Sequence, residues 1–176
     1  RQMCIRDRCL MCQGWSAAEV NALFHIRICS TGWTTAGVYE GPNRPTWVYT
    51  VGLALVDHPE LLVASVAPER ATEVLDDLAR RVVAGERYDD ADAATCSDGL
   101  TVALRDVHPI HIERGIVGAA QRYYHWACVQ APALRVRQAV LPPSAFCRCH
   151  ADTQPRLHLA HVLFGVEGPR RAERRR

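Results

Sequence analysis

Trp47-Val48-Tyr49-Thr50-Val51-Gly52-Leu53, followed shortly by His58-Pro59-Glu60-Leu61, is the stretch whose reading decides the fold. Aromatic and β-branched side chains fill residues 47–51, a composition that suits a pleated, packed surface. Gly52 permits a turn and His58-Pro59 marks one. Leu61 to Val66 is a short apolar run that reads as a second strand, central in its sheet. Upstream, Trp33–Val38 reads as a strand of the same kind, beyond the loop Gly41-Pro42-Asn43-Arg44-Pro45. Three strands joined by such short connections pair antiparallel, because a parallel pair needs a longer crossover.

Helical periodicity flanks this meander. Ser16-Ala17-Ala18-Glu19 has the form of a capping box, in which Ser and Glu satisfy each other's backbone N–H groups. Val20, Leu23, Phe24 and Ile28 follow at helical spacing, and Gly32 is a natural stop, which predicts a helix over about 16–29. After the meander, Pro68 suits a first helical turn, where its missing N–H costs nothing. Ala71, Val74, Leu75, Leu78 and Val82 form one apolar stripe, and Gly85 sits where a left-handed cap is wanted, so 68–84 is the second helix. Residues 86–99 are polar and acidic and read as a loop. Leu100, Val102 and Leu104 alternate with neighbours Thr101, Ala103 and Arg105 as a fourth strand, Pro109 to Tyr124 reads as a third helix weakened by Gly115 and Gly118, and Leu134 to Val140 as a fifth strand. The expected fold is α+β: five strands, mainly antiparallel, with about three helices packed on one face.

Composition narrows the chemistry. The chain has 176 residues, one domain by size, and hydrophobic residues make up 48% of it, enough to build a core. All 21 basic residues are arginine. With no lysine, pyridoxal Schiff bases, phosphate-loop lysines and lysine general bases are excluded. The net charge of +2 is unevenly spread. Residues 1–8 carry +2, residues 169–176 carry +4, and the body between them is acidic at −4. A nucleic-acid binder concentrates positive charge on its folded face, so a protein or small-molecule partner is expected instead. No apolar run is long enough for a membrane span. No secretory signal is visible, and a cytoplasmic location is expected. Residues 1–8, with Gln2-Met3-Cys4-Ile5-Arg6-Asp7-Arg8, read as a translated sequencing adapter and are expected to be foreign. The domain is then 9–164, with 165–176 a basic, disordered tail.

The motif set resembles that of domain-of-unknown-function family 4262. The residues that carry the likeness are Gly32-Trp33, Gly37-Val38, Tyr49-Thr50-Val51-Gly52-Leu53, His58-Pro59-Glu60-Leu61 and Ala84-Gly85. The likeness extends over about 9–160 and implies a bacterial α+β domain, with no activity, cofactor or catalytic residue to carry over. Many members have a Trp-containing segment near the end. Phe146-Cys147-Arg148-Cys149-His150 stands there instead, which suggests a cysteine-bearing subgroup.

Cysteine is the most informative residue type. Cys9-Leu10-Met11-Cys12 and Cys147-Arg148-Cys149-His150 have the close spacing that chelates zinc in a tetrahedral structural site. Cys9, Cys12, Cys147 and Cys149 are therefore the expected metal ligands, with His150 as an alternative fourth. The competing reading is free thiols near the chain ends. Cys29, Cys96 and Cys128 have no close partner in sequence and read as buried or incidental thiols.

Tyr49, His58 and Glu60 flank a strand edge and turn, where a histidine and a carboxylate could do acid–base work. Against that, Tyr49 and Val51 could simply pack while His58-Pro59 shapes the turn. His108-Pro109-Ile110-His111 reads mainly as a helix start, and Tyr123-Tyr124-His125-Trp126 as core or a pocket wall. No serine-hydrolase, zincin, phosphate-loop or dinucleotide fingerprint is present. The favoured expectation is a non-catalytic binding or regulatory domain, stapled by structural zinc. A small hydrolase or transferase using Tyr49, His58 and Glu60 is the first alternative, and a toxin-neutralising protein the second.

Overall fold

The computed structural model describes residues 10–11, 13–38, 46–128 and 134–142. The first helix, α1 (Ala17–Thr31), starts at the expected capping box: Ser16 Oγ accepts from the Glu19 N–H, and the Glu19 carboxylate accepts from the Ser16 N–H. It ends at Gly32, whose φ of 93° is left-handed. The meander follows as β1 (Thr34–Val38), β2 (Trp47–Val51) and β3 (Glu60–Ala64), each pair antiparallel, with a single 3-10 turn over Leu53–Val56. Helix α2 (Pro68–Val83) buries the predicted stripe of Ala71, Val74, Leu75, Leu78 and Val82. It closes with a Schellman pattern: Glu86 N–H donates to Arg81 O and Gly85 N–H to Val82 O. Each large stripe residue contributes roughly 1.5–3 kcal/mol of burial, so this face is the main anchor of the helix.

Four features differ from the sequence expectation. Among the described residues the sheet has six strands, in the order β1-β2-β3-β6-β5-β4. The extra strand, β4 (Ala93–Thr95), lies in the acidic stretch read as loop. Only Ala94 of its three residues is buried, too little for a periodic signal. It pairs with β5 (Thr101–Asp106) as an antiparallel hairpin. The sheet is also mixed, because β6 (Val136–Val140) lies parallel to β3 while antiparallel to β5. The helix expected over 109–124 is instead two helices, α3 (Pro109–Glu113) and α4 (Gly118–Trp126). Gly115, at φ 84°, breaks the run.

The helices also cover both faces of the sheet rather than one. On one side, α2 packs with Val48, Leu61, Val63, Val102, Leu104, Ala139 and Leu141. On the other, α1 and α4 pack with Trp47, Tyr49, Val51, Leu62 and Val136. The strands 47–51 and 60–64 are buried at every position, as two-sided cover requires. Two indoles tie the layers together. Trp47 Nε1 donates to Ile116 O at 2.8 Å, and Trp33 Nε1 to Asp76 Oδ1 at 2.9 Å. Among the described residues, no helix is long and apolar enough to cross a membrane.

Candidate functional site

Glu60 opens β3 and is wholly buried. Its carboxylate lies at the start of the 3-10 turn, where free backbone N–H groups form a cradle for negative charge. Oε1 accepts from the N–H groups of Gly52 at 3.0 Å and Ala54 at 3.2 Å, and from the Tyr124 hydroxyl. Oε2 accepts from Thr50 Oγ1 at 2.5 Å. Two partners are themselves engaged further. Tyr124 Oη accepts from Gly52 N–H at 2.8 Å, and Thr50 Oγ1 accepts from Leu61 N–H at 2.8 Å. Every one of these partners is neutral. Burial without a counter-cation pushes the Glu60 carboxyl above its ordinary range, against the pull of the Thr50, Tyr124, Ala54 and Gly52 donors. The Tyr124 phenol is likewise pushed up, first by burial and then by the carboxylate beside it.

Gly52 makes the cradle possible. Its φ of 128° suits glycine alone, and a Cβ there would sit 2.7 Å from Gly32 O and 3.0 Å from Trp33 Cα. The backbone at the end of α1 therefore presses directly against the turn that holds Glu60.

His58, also buried, serves a different purpose. Its Nε2 accepts from the Tyr88 N–H at 3.0 Å, so the ring proton is on Nδ1, which donates to Pro59 O at 2.7 Å. The ring stands edge-on to Tyr88. Burial holds this imidazole below its ordinary pKa. Tyr49 Oη accepts from the Ala119 N–H at 3.0 Å, satisfying one of the free donors in the first turn of α4. Burial pushes its phenol up to about 12.

The three candidate residues thus share a neighbourhood but not a site. Among the described residues, no hydrogen bond joins any two of them. Tyr49 turns to α4, His58 to the loop before β4, and Glu60 to the 3-10 turn and Tyr124. His108 caps α3, accepting from Ile110 N–H through Nδ1. The proposed zinc ligands Cys9, Cys12, Cys147, Cys149 and His150 lie outside the described residues. Among those described, no group of three or more histidine, cysteine or acidic side chains is gathered for a metal ion.

One constellation was not anticipated. Cys29, read from sequence as partnerless, lies one turn after His25 on α1, with Sγ 3.6 Å from His25 Nε2. His25 Nδ1 is 3.2 Å from Tyr123 Oη on α4, and the Trp126 ring meets the imidazole edge-on. His25 and Cys29 are exposed, whereas Tyr123 is buried. The available signal was the i, i+4 spacing of His and Cys on a helix, which places both on one face.

A family model described as a domain of unknown function (DUF4262) matches residues 27–144. No curated protein and no solved structure gives a significant match.

Proposed function

This chain belongs to the DUF4262 family, and on that premise we propose that it is a binding or regulatory domain in which Tyr49, His58 and Glu60 hold the fold rather than perform a reaction. One observation carries this reading: all three are at most 2% exposed, and the protein's own backbone engages each of them. Catalytic acids and bases need a free lone pair or proton within reach of substrate. Here both imidazole nitrogens are taken, and both carboxylate oxygens are taken. The test uses general esterase and phosphatase substrates with the wild-type chain and Glu60→Gln. Equal background rates in both are expected. A wild-type rate that collapses in Glu60→Gln would instead favour the hydrolase or transferase alternative.

We further propose that structural zinc, held by Cys9, Cys12, Cys147 and Cys149 with His150 as the alternative fourth ligand, staples the ends of the domain. Topology supports this. Helix α1 ends where β1 begins, so its first turn lies a helix length away from the start of β1, with Leu10 packed against the core beside it. Strand β6 runs parallel to β3, and so in the direction of β1, and it too ends away from that start. Thiolate ligation would add folding free energy directly. Metal analysis of the purified full chain should give one zinc per molecule, lost in Cys147→Ser, and a chelator should lower the melting temperature. Metal-free protein with an unchanged melting temperature would reject the staple.

A further inference from the structure

Beyond that reading, we propose that Cys29 is a nucleophilic thiol, served by His25 as its base, that forms mixed disulfides with low-molecular-weight disulfides. The geometry supplies the parts. Sγ lies 3.6 Å from His25 Nε2, within hydrogen-bonding reach for sulfur. Tyr123 Oη, fixed in the core at 1% exposure, lies 3.2 Å from Nδ1. A proton on Nδ1 donated to Tyr123 leaves the Nε2 lone pair facing the thiol, the arrangement in which imidazole can take its proton. Burial pushes the Tyr123 phenol up, so it stays a neutral partner for the ring. Trp126, 41% exposed, adds a flat apolar wall beside the imidazole.

The surroundings select the class of reaction. Cys29 lies in the last turn of α1, and His25 stands one turn before it as the base that can take its proton. Acyl transfer also needs donors aimed at a developing oxyanion, but the backbone N–H groups around Cys29 are spent inside the helix. Thiol–disulfide exchange needs no such donors, because the charge passes from sulfur to sulfur and the requirements are a thiolate and open approach. The thiol proton moves to His25 Nε2. The Cys29 sulfur attacks one sulfur of the disulfide, a new S–S bond forms and the old one breaks. The departing thiolate then takes the proton back from the imidazolium. Cys29 is oxidised and the released half of the disulfide is reduced.

The molecule contains its own controls. Cys128 is exposed like Cys29, but its nearest described partner is the Trp126 carbonyl at 3.9 Å, while Cys96 is buried. Reduced full-length protein is incubated with oxidised glutathione at neutral pH, and each cysteine is followed by mass spectrometry of its mixed disulfide. Cys29 is expected to react about tenfold faster than Cys128, and Cys96 slowest of the three. His25→Ala should lower the Cys29 rate to that of Cys128, with an unchanged circular dichroism spectrum. Tyr123→Phe should shift the pH profile of the Cys29 reaction while leaving Cys128 unaffected. A Cys29 rate no greater than that of Cys128, or one unchanged in folded His25→Ala, overturns the proposal.

Discussion

Glu60 and Cys29 stand at opposite extremes of the same molecule. Both are ionisable, and both have a tyrosine of α4 in their network, Tyr124 for Glu60 and Tyr123, through His25, for Cys29. Glu60 is enclosed and saturated, with four donors spent on two oxygens. Cys29 is open, with one imidazole beside it and solvent on the other side. The chemical type of a residue is therefore a poor guide to its role. What separates a structural group from a reactive one is whether its lone pairs and protons are already committed.

The largest expected effect tests the enclosed end. Glu60→Ala leaves the Ala54 N–H, the Thr50 hydroxyl and the Tyr124 hydroxyl without their Glu60 acceptor, while the Gly52 N–H keeps Tyr124 Oη. It should cost about 4 kcal/mol, since each stranded buried donor costs on the order of 1–3 kcal/mol and some relaxation is expected. Glu60→Gln keeps one carbonyl acceptor in the cradle and should cost only about 1–2 kcal/mol. Urea denaturation measures both. Equal losses would mean that the volume of the side chain, not its hydrogen bonding, matters there.

A middle-sized effect comes from pH. Folded His58 is held neutral, so it binds fewer protons than unfolded histidine once pH falls toward the ordinary value of 6.5. Its contribution is present above that pH and is lost as pH falls through it. Glu60 works in the opposite sense. Its folded pKa is raised, so its contribution is full below the ordinary value of 4.5 and declines as pH rises through the folded pKa. In Glu60→Gln, where the opposing carboxyl is absent, the melting temperature should therefore drop by a few degrees between about pH 7 and 5, in proportion to the lost linkage energy. That drop should be smaller in the wild-type chain, where Glu60 offsets part of it, and should flatten when His58→Asn is added. A His58→Asn variant that keeps the full acid-side drop would place the sensing group elsewhere.

The smallest expected effect lies at the open end. Cys29→Ser should change stability by less than about 0.5 kcal/mol, as exposed substitutions usually do. Thermal and urea melts that show a larger loss would mean that the thiol packs as well as faces solvent.

Much of the fold was legible in local pattern. The capping box at Ser16, the stop at Gly32 and the stripe from Ala71 to Val82 all depend on neighbours a few residues away, and each is present in the structure. The parallel join of β3 to β6 was not legible, because nothing local to either strand names its partner. Strand β4 escaped because one buried alanine gives no alternation. The break at Gly115 was visible only as a weakness in a helical pattern. The candidate site shows the same division. Tyr49, His58 and Glu60 could be picked out by type, and so could the turn they shape. Their separate partners, Ala119, Tyr88 and Tyr124, come from distant parts of the chain. His25 and Cys29 lay in plain helical spacing, yet Tyr123, which orients the pair, is 98 residues from His25.

The central join of the sheet also constrains how this chain reaches its native state. Glu60, Leu61 and Leu62 pair with Val136, Arg137 and Gln138, each 76 residues further along. The β1-β2-β3 meander and the β4-β5 hairpin can each assemble from short-range contacts. The seam requires closing a long loop before any pairing energy is returned, and such contacts slow folding. Until the loop closes, β3 and the strand destined to be β6 each present an open row of backbone donors and acceptors, the kind of edge that recruits other chains. The same seam that organises the finished sheet is thus the place where a folding molecule is most exposed to pairing with the wrong partner.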